Sequence, residues 1–218
     1  MKWNLPNQLT LGRVGLSAVF FVLLGLYRGS LSYGPALLSA AFVVFIIACI
    51  TDVLDGYFAR KLNQTSAFGR MVDPIVDKIL VVGAFAMLAG PDYALVAVPA
   101  AAAMERGLPA WLTGGMSSAV QTWMVVVILA REFIISGIRG YSEAQGIKFP
   151  AIPAGKFKML TQSAAIGTVL YQLAWLPDAA WAIWVKIIIV WLAVIITVLS
   201  GAFYIHKARI LMNIDEKP

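Results

Sequence analysis

Four aspartates lie close together in the stretch TDVLDGYFARKLNQTSAFGRMVDPIVDK, residues 51–78. Asp52 and Asp55 are three residues apart, while Asp73 and Asp77 are four apart, so each pair shares one face if its segment is helical. The short connection KLNQTS makes the two segments antiparallel neighbours, which can bring the two acidic faces together. The spacing therefore predicts a single cluster of four carboxylates.

Such a cluster needs a compensating positive charge, because carboxylates that meet in a partly dry site repel one another. Divalent cations are the usual compensation, and all-oxygen ligands favour Mg²⁺, Mn²⁺ or Ca²⁺. Four acids are enough to hold two metal ions, the arrangement that clamps both oxygens of a phosphoryl displacement. The structural alternative is that Asp73, which precedes Pro74, only caps the start of a helix. This alternative explains one aspartate and leaves three unexplained.

Basic residues farther along the chain could bind an anionic substrate. Arg131 and Arg139 are eight residues apart in a predicted helix, about 80° around its axis, and can converge on one ligand. We expect a phosphate-binding group of four residues, the last two of which open the next helix: Arg131, Arg139, Lys156 and Lys158. The alternative is that a carboxylate, from Glu132 or Asp77, only neutralises Arg131.

The elements that must position these residues are predicted to be membrane-spanning helices. Of 218 residues, 61% are hydrophobic and 13% are charged, whereas soluble domains carry about 25% charged residues. No segment alternates as the strands of a transmembrane barrel do. We expect an all-α fold, a polytopic integral membrane bundle forming a single domain over residues 1–218. Six segments approach the length of about 20 residues that a crossing needs: 10–28, 35–60, 71–90, 118–140, 155–176 and 180–205.

Residues 91–120 interrupt this pattern, because their apolar core is short and contains Pro99 and Pro109. A looped or surface-lying excursion is therefore favoured over a seventh crossing.

The distribution of basic residues predicts the orientation of the chain. With six crossings and the N-terminus inside, only three of the 17 Lys and Arg residues fall on the outer side: Arg28, Arg106 and Lys186. An excess of Lys and Arg on one side is typical of cytoplasmic loops. We expect a multi-pass protein of the cytoplasmic membrane, with both termini and the aspartates facing the cytoplasm. This pattern accounts for the net charge of +6 without nucleic acid as a partner.

The aspartates belong to a longer motif, Asp52-x-x-Asp55-Gly56-x-x-Ala59-Arg60, eight residues, then Gly69-x-x-x-Asp73-x-x-x-Asp77. This motif resembles the signature of the CDP-alcohol phosphotransferases at every specified position. The likeness extends to three further stretches: NLPNQLTLGR, AREFIISGIRGY and GKFKMLTQ. One departure is Met159, which stands where threonine is usual in relatives.

The resemblance implies six transmembrane helices, a homodimer, and a polar cavity open to the cytoplasm and to lipid. It also implies two divalent cations, Mg²⁺ or Mn²⁺. Asp52 and Asp73 would bridge the two cations, Asp55 would bind the first, and Asp77 would bind the second and act as the catalytic base. By the same resemblance, six residues are expected to bind the CDP group: Asn7, Thr10, Arg13, Gly56, Arg60 and Ser66.

The reaction implied is transfer of a phosphatidyl group from CDP-diacylglycerol to sn-glycerol 3-phosphate, which gives phosphatidylglycerophosphate and CMP in phospholipid biosynthesis. Two alternatives remain open. Another acceptor, such as phosphatidylglycerol in cardiolipin synthesis, would keep the same chemistry. A cation-binding transporter would use the aspartates without turnover, although such proteins more naturally carry inverted repeats or broken helices.

Overall fold

The computed structural model describes residues 5–29, 31–61, 67–94, 110–146 and 153–215. These ranges are almost wholly helical and contain no β-strand, which confirms the all-α fold class. Their long helices number six: α1 (Leu5–Leu26), α2 (Gly34–Lys61), α3 (Ala67–Leu88), α4 (Thr122–Ala144), α5 (Pro153–Trp175) and α6 (Ala180–Asp215). Each contains most of one segment that the sequence predicts.

The beginnings and ends of α2 and α3 decide where the aspartates lie. Helix α2 continues without a break from its apolar run to Lys61, so Asp52 and Asp55 lie in its last turns. Helix α3 begins at Ala67, six residues before Asp73. Because Asp73 is an interior residue of α3, the alternative that it caps the start of this helix is wrong.

A shared apolar core holds the six helices together. Helix α1 packs against α2 and α3, α2 also packs against α5, and α6 packs against α4 and α5. Every long helix contributes fully or almost fully buried side chains to this core, for example Phe20, Phe45, Phe85, Ile128, Ile166 and Val190. In a bilayer, where the lipid tails are as apolar as these side chains, close van der Waals packing of such a core holds helices together.

The outer faces of the bundle are also apolar. Val53, Phe133 and Leu160 are each about two-thirds or more exposed, at 70%, 69% and 67%. Among the described residues, two helical segments are long and apolar enough to cross a membrane, Gly34–Asp55 in α2 and Ala180–Arg209 in α6. These features indicate a membrane protein, whereas the six crossings and their orientation stay predictions.

The described parts of the excursion, residues 91–94 and 110–120, fold back against the bundle. They form a 3₁₀ turn at Pro91–Tyr93 and a single helical turn at Ala110–Thr113. Ser117 donates hydrogen bonds to the Tyr93 carbonyl from its backbone N–H at 2.6 Å and its hydroxyl at 2.7 Å. Tyr93 is buried and stacks on Tyr27, and this burial raises the pKa of the Tyr93 phenol. The two described parts are therefore packed structure, in keeping with a looped excursion.

A lysine of α6 ties the same loop to the bundle. Lys186 is 3% exposed, and its Nζ donates to the Ser117 carbonyl at 2.6 Å and to Gln172 Oε1 at 2.7 Å. Both acceptors are neutral, and they lie near the α5–α6 connection, away from the acidic ends of α2 and α3. Lys186 therefore serves as a structural anchor of this end of the bundle.

Candidate functional site

The aspartates of α2 and α3 meet around an arginine of α1. Arg13 Nη1 lies 2.7 Å from Asp52 Oδ1 and 2.9 Å from Asp77 Oδ1, and Arg13 Nη2 lies 3.3 Å from Asp55 Oδ2. Arg13 is 1% exposed. One buried guanidinium thus joins three carboxylates from two helices.

Thr10 completes this arrangement one helical turn before Arg13. Its hydroxyl lies 2.8 Å from Asp73 Oδ1 and 3.4 Å from Asp55 Oδ2. Residues three apart share a helix face, so α1 directs both Thr10 and Arg13 at the groove between α2 and α3. We call these six residues the acidic cluster: Thr10, Arg13, Asp52, Asp55, Asp73 and Asp77.

The acidic cluster retains an excess of negative charge. The six residues of the cluster include four carboxylates and one guanidinium, so the cluster carries a net charge of −3 when all are ionised. Among the described residues, Asp55 Oδ1 is buried without a hydrogen-bond partner. The Asp52 and Asp77 side chains are 36% and 26% exposed. The cluster therefore has a closed inner side at Asp55 and an open side at Asp52 and Asp77.

The donor set of the acidic cluster suits a hard divalent cation, because it consists of carboxylate oxygens. The unpartnered Oδ1 of Asp55 and the remaining negative charge support this fit. In the described part of the chain, however, no group of three or more His, Cys, Asp or Glu residues is arranged to hold a metal ion. Three of the carboxylates are instead turned onto Arg13.

Only part of the predicted CDP-binding group can be compared with the structure. Thr10 and Arg13 contact the aspartates directly. Gly56 and Arg60 continue α2 beyond Asp55, and Asn7 lies in the first turn of α1, but their surroundings lie outside the described residues. The same holds for Ser66, which precedes the first described residue of α3.

A second group of polar residues lies between α4, α5 and α6. Arg139 Nη2 donates to the Tyr204 hydroxyl at 2.9 Å. The Cζ atoms of Arg139 and Arg131 lie 5.2 Å and 5.6 Å from the centroid of the Tyr204 ring, within the range of a cation–π interaction. The two arginines thus converge as their spacing predicts, and Tyr204 lies at the point of convergence.

Two glycines leave room for this arrangement. A Cβ atom at Gly201 would lie 3.1 Å from Arg131 Cγ, and one at Gly155 would lie 3.1 Å from the Tyr204 hydroxyl oxygen. Both contacts are tighter than ordinary van der Waals contact. The absence of side chains at these positions lets α4, α5 and α6 approach closely around Tyr204.

Glu132 partly neutralises the basic residues. Its Oε1 accepts hydrogen bonds from Arg131 Nη1 at 2.9 Å and from Lys158 Nζ at 2.5 Å. Of the two carboxylates considered for Arg131, Glu132 is therefore the one that pairs with it, whereas Asp77 pairs with Arg13. We call the following residues the basic cluster: Arg131, Glu132, Arg139, Lys158 and Tyr204. The side-chain surroundings of Lys156 lie outside the described residues.

Lys78 connects the two clusters along the chain. It follows Asp77 in α3, and its Nζ donates to the Ser136 hydroxyl of α4. Ser136 in turn donates to the Glu132 carbonyl at 2.6 Å. Two adjacent residues of α3 therefore serve the two sides: Asp77 belongs to the acidic cluster, and Lys78 contacts α4, the helix that carries Arg131, Glu132 and Arg139.

Sequence reasoning missed Tyr204 and the central place of Arg13. Tyr204 belongs to the apolar run of α6, where a single tyrosine stands out little from its neighbours. The run GAFY, with Gly201 three residues before the tyrosine, was the available signal for a close helix contact.

Comparisons with known proteins agree with the motif. A family model described as CDP-alcohol phosphatidyltransferase matches residues 3–199. The chain is 34% identical over 216 residues to the CDP-diacylglycerol–glycerol-3-phosphate 3-phosphatidyltransferase of Bacillus subtilis, covering 94% of this chain and 95% of that protein. The protein of the same name from Rickettsia bellii is 30% identical over 206 residues, with 94% and 96% covered. A probable phosphatidylglycerophosphate synthase of Mycobacterium tuberculosis is 32% identical over 205 residues, with 94% and 81% covered. These matches confirm the resemblance on which the expected fold and reaction rest.

Proposed function

The chain belongs to the CDP-alcohol phosphatidyltransferase family, and we propose that it transfers the phosphatidyl group of CDP-diacylglycerol to sn-glycerol 3-phosphate. The products are phosphatidylglycerophosphate and CMP. The observation that carries this proposal is the similarity, over 94% of the chain, to proteins named for this reaction. The matched residues 3–199 include the acidic cluster and all of the basic cluster except Tyr204.

The family generally uses divalent metal ions, and we propose Asp52, Asp55, Asp73 and Asp77 as the ligands of two of them, Mg²⁺ or Mn²⁺. When bound, such ions neutralise charge on the pyrophosphate and on the departing CMP. Carboxylate oxygens, residual negative charge and the unpartnered Asp55 Oδ1 support this assignment. The CDP group would be held beside them by Asn7, Thr10, Arg13, Gly56, Arg60 and Ser66.

Asp77 is proposed as the general base. The 1-hydroxyl oxygen of glycerol 3-phosphate forms a bond to the phosphorus that carries diacylglycerol, and the bond from that phosphorus to CMP breaks. The hydroxyl proton passes to the Asp77 carboxylate as the new bond forms. With 26% of its side chain accessible, Asp77 is open to an acceptor hydroxyl, unlike Asp55 at 6%. The choice of Asp77 over the more exposed Asp52 rests on the family resemblance.

The basic cluster is proposed to bind the phosphate of the acceptor, together with Lys156. Arg131, Arg139 and Lys158 carry three positive charges against the one negative charge of Glu132, which leaves a net charge of +2. This excess matches the dianionic phosphate of glycerol 3-phosphate. Arginine can also form two parallel hydrogen bonds to a phosphate. A neutral acceptor such as serine or inositol would not need this charge.

We propose six membrane crossings, with both termini and the two clusters on the cytoplasmic side. The two long apolar segments, the apolar outer faces and the excess of basic residues on one side support this arrangement. A homodimer remains a prediction from the family resemblance.

The acceptor can be identified directly. Purified protein is supplied with CDP-diacylglycerol, a divalent metal ion and one acceptor at a time: glycerol 3-phosphate, phosphatidylglycerol, serine or inositol. The lipid product is identified by its mass. We expect a lipid product only when glycerol 3-phosphate is the acceptor, and we expect that product to be phosphatidylglycerophosphate. Formation of cardiolipin from phosphatidylglycerol would overturn the proposal that glycerol 3-phosphate is the acceptor. If no acceptor led to CMP release, the transporter interpretation would be favoured.

A further inference from the structure

We infer that Arg13 is a built-in counterion of the acidic cluster, which stabilises the metal-free protein and competes with the divalent cation for the same carboxylates. This inference rests on the proposed function, because it takes the aspartates as the metal ligands. It begins from three contacts, in which Arg13 lies 2.7 Å, 2.9 Å and 3.3 Å from oxygens of Asp52, Asp77 and Asp55.

The burial of Arg13 indicates that its charge is needed where it lies. An arginine that only anchored the helix at a membrane surface would extend its guanidinium towards water. Arg13 is instead 1% exposed, and the Asp55 side chain is 6% exposed. Removing this guanidinium from the metal-free protein would leave the four carboxylates of the cluster facing one another. This arrangement is costly, because buried carboxylates need a counterion.

Competition follows from the identity of the oxygens. Mg²⁺ binds carboxylate oxygens at about 2.0–2.1 Å. Asp52 Oδ1 and Asp77 Oδ1 both point at Arg13 Nη1. A cation bound by these two oxygens would stand next to the guanidinium in a partly buried site, where like charges repel more strongly than in water. Arg13 must therefore withdraw from at least these two contacts when the cation binds.

Other polar groups can keep the cluster assembled during this exchange. The Thr10 hydroxyl donates a hydrogen bond to Asp73 Oδ1 at 2.8 Å. Asp55 Oδ1 is buried and has no hydrogen-bond partner within the described ranges, so it can accept a new contact. The side chain of Arg13 can thus move away while Thr10 and the backbone of α1 continue to close the groove.

The test compares metal binding and stability in the wild-type protein, Arg13→Gln and the charge-retaining control Arg13→Lys. Each full-length protein is purified in Mn²⁺, after which the metal is removed with a chelator. Mn²⁺ affinity is then measured by electron paramagnetic resonance, and the melting temperature is measured with Mn²⁺ and with chelator. No substrate is present in either measurement.

We expect Arg13→Gln to bind Mn²⁺ more tightly than the wild-type protein, by roughly 5- to 150-fold, the usual range of coupling between two ligands. Chelation should lower the melting temperature of Arg13→Gln much more than that of the wild type. The chelated variant lacks both the guanidinium and the divalent cation, whereas the chelated wild type keeps the guanidinium. Arg13→Lys should resemble the wild type in both measurements.

Unchanged or weaker Mn²⁺ binding by Arg13→Gln would overturn the inference. So would an Arg13→Gln protein that stays unfolded in saturating Mn²⁺, because the cation should replace the missing charge. The proposed reaction fails separately, if the wild-type protein shows this competition for Mn²⁺ but releases no CMP from CDP-diacylglycerol with any acceptor.

Discussion

Arg139 contacts Tyr204 in two ways. Its Nη2 donates to the tyrosine hydroxyl at 2.9 Å, and its Cζ lies 5.2 Å from the centroid of the ring. Arg139 Nε is buried and has no hydrogen-bond partner in the part of the chain that the structure describes. Tyr204 thus fixes the direction of Arg139 without neutralising it, which leaves the positive charge of the guanidinium available to a phosphate.

Replacing Tyr204 by Phe should weaken acceptor binding without abolishing turnover. The ring and its cation–π contacts remain, while the hydrogen bond that orients Arg139 is lost. The donor is a charged guanidinium, so this hydrogen bond is charge-assisted. Because the charge itself remains and only its orientation is lost, we expect KM for glycerol 3-phosphate to rise by roughly two- to tenfold, which corresponds to about 0.5–1.5 kcal/mol. KM for CDP-diacylglycerol and kcat should change little. A fall in kcat with both KM values unchanged would argue against a positioning role.

Replacing Arg139 by Ala should have a larger effect on the same parameter. Hydrogen bonds to charged groups contribute about 1.5–3 kcal/mol, which corresponds to a rise in KM for glycerol 3-phosphate of roughly 10- to 100-fold. The matched control is Arg28→Ala, because Arg28 is exposed and pairs with Asp92 in a different part of the structure. Equal rises in KM for both substrates in Arg139→Ala would assign Arg139 a structural role.

Replacing Glu132 by Gln should destabilise the protein. Glu132 is 8% exposed and accepts hydrogen bonds from both Arg131 and Lys158. Removing one partner of a buried ion pair costs about 3–5 kcal/mol, since the other charge is left uncompensated. The melting temperature should therefore fall clearly below that of the wild type. Glu143→Gln, at an exposed position of the same helix, is the control and should melt as the wild type does.

If Asp77 is the general base, Asp77→Asn should lose at least about 100-fold of the turnover rate with the fold retained. Retention is expected because asparagine preserves the size of the side chain and can still accept a hydrogen bond from Arg13. Asp92→Asn makes the same chemical change in the 3₁₀ turn that follows α3 and should remain active. Circular dichroism and melting curves would establish that both variants are folded. Wild-type activity in Asp77→Asn would remove Asp77 from the mechanism.

The helices were predictable because apolar runs of sufficient length mark them directly. The predicted segment 35–60 corresponds to α2, Gly34–Lys61, almost residue for residue. The predicted end at residue 205 is ten residues short of the end of α6 at Asp215. Hydropathy measures the length that crosses a membrane, whereas a helix can continue into polar sequence beyond it. The early start of α3 at Ala67 has the same cause.

The candidate site was predictable only where its residues are close in sequence. Helical spacing groups Asp52 with Asp55 and Asp73 with Asp77, and the structure brings these pairs together. The place of Arg13 depends on which face α1 turns towards α2 and α3, and spacing within α1 does not determine this. The contact between Tyr204 and Arg139 was not predicted for the same reason, because the two residues are 65 positions apart in the sequence.

The proposed reaction is tested most directly by measuring both of its products together. Purified protein receives CDP-diacylglycerol and labelled glycerol 3-phosphate, with Mg²⁺, with Mn²⁺ or with chelator, and labelled lipid and CMP are quantified together. We expect equal amounts of labelled phosphatidylglycerophosphate and CMP with either metal ion, and neither product with chelator. Lipid labelling that persists without a divalent metal ion, or CMP released without labelled lipid, would contradict the proposed reaction.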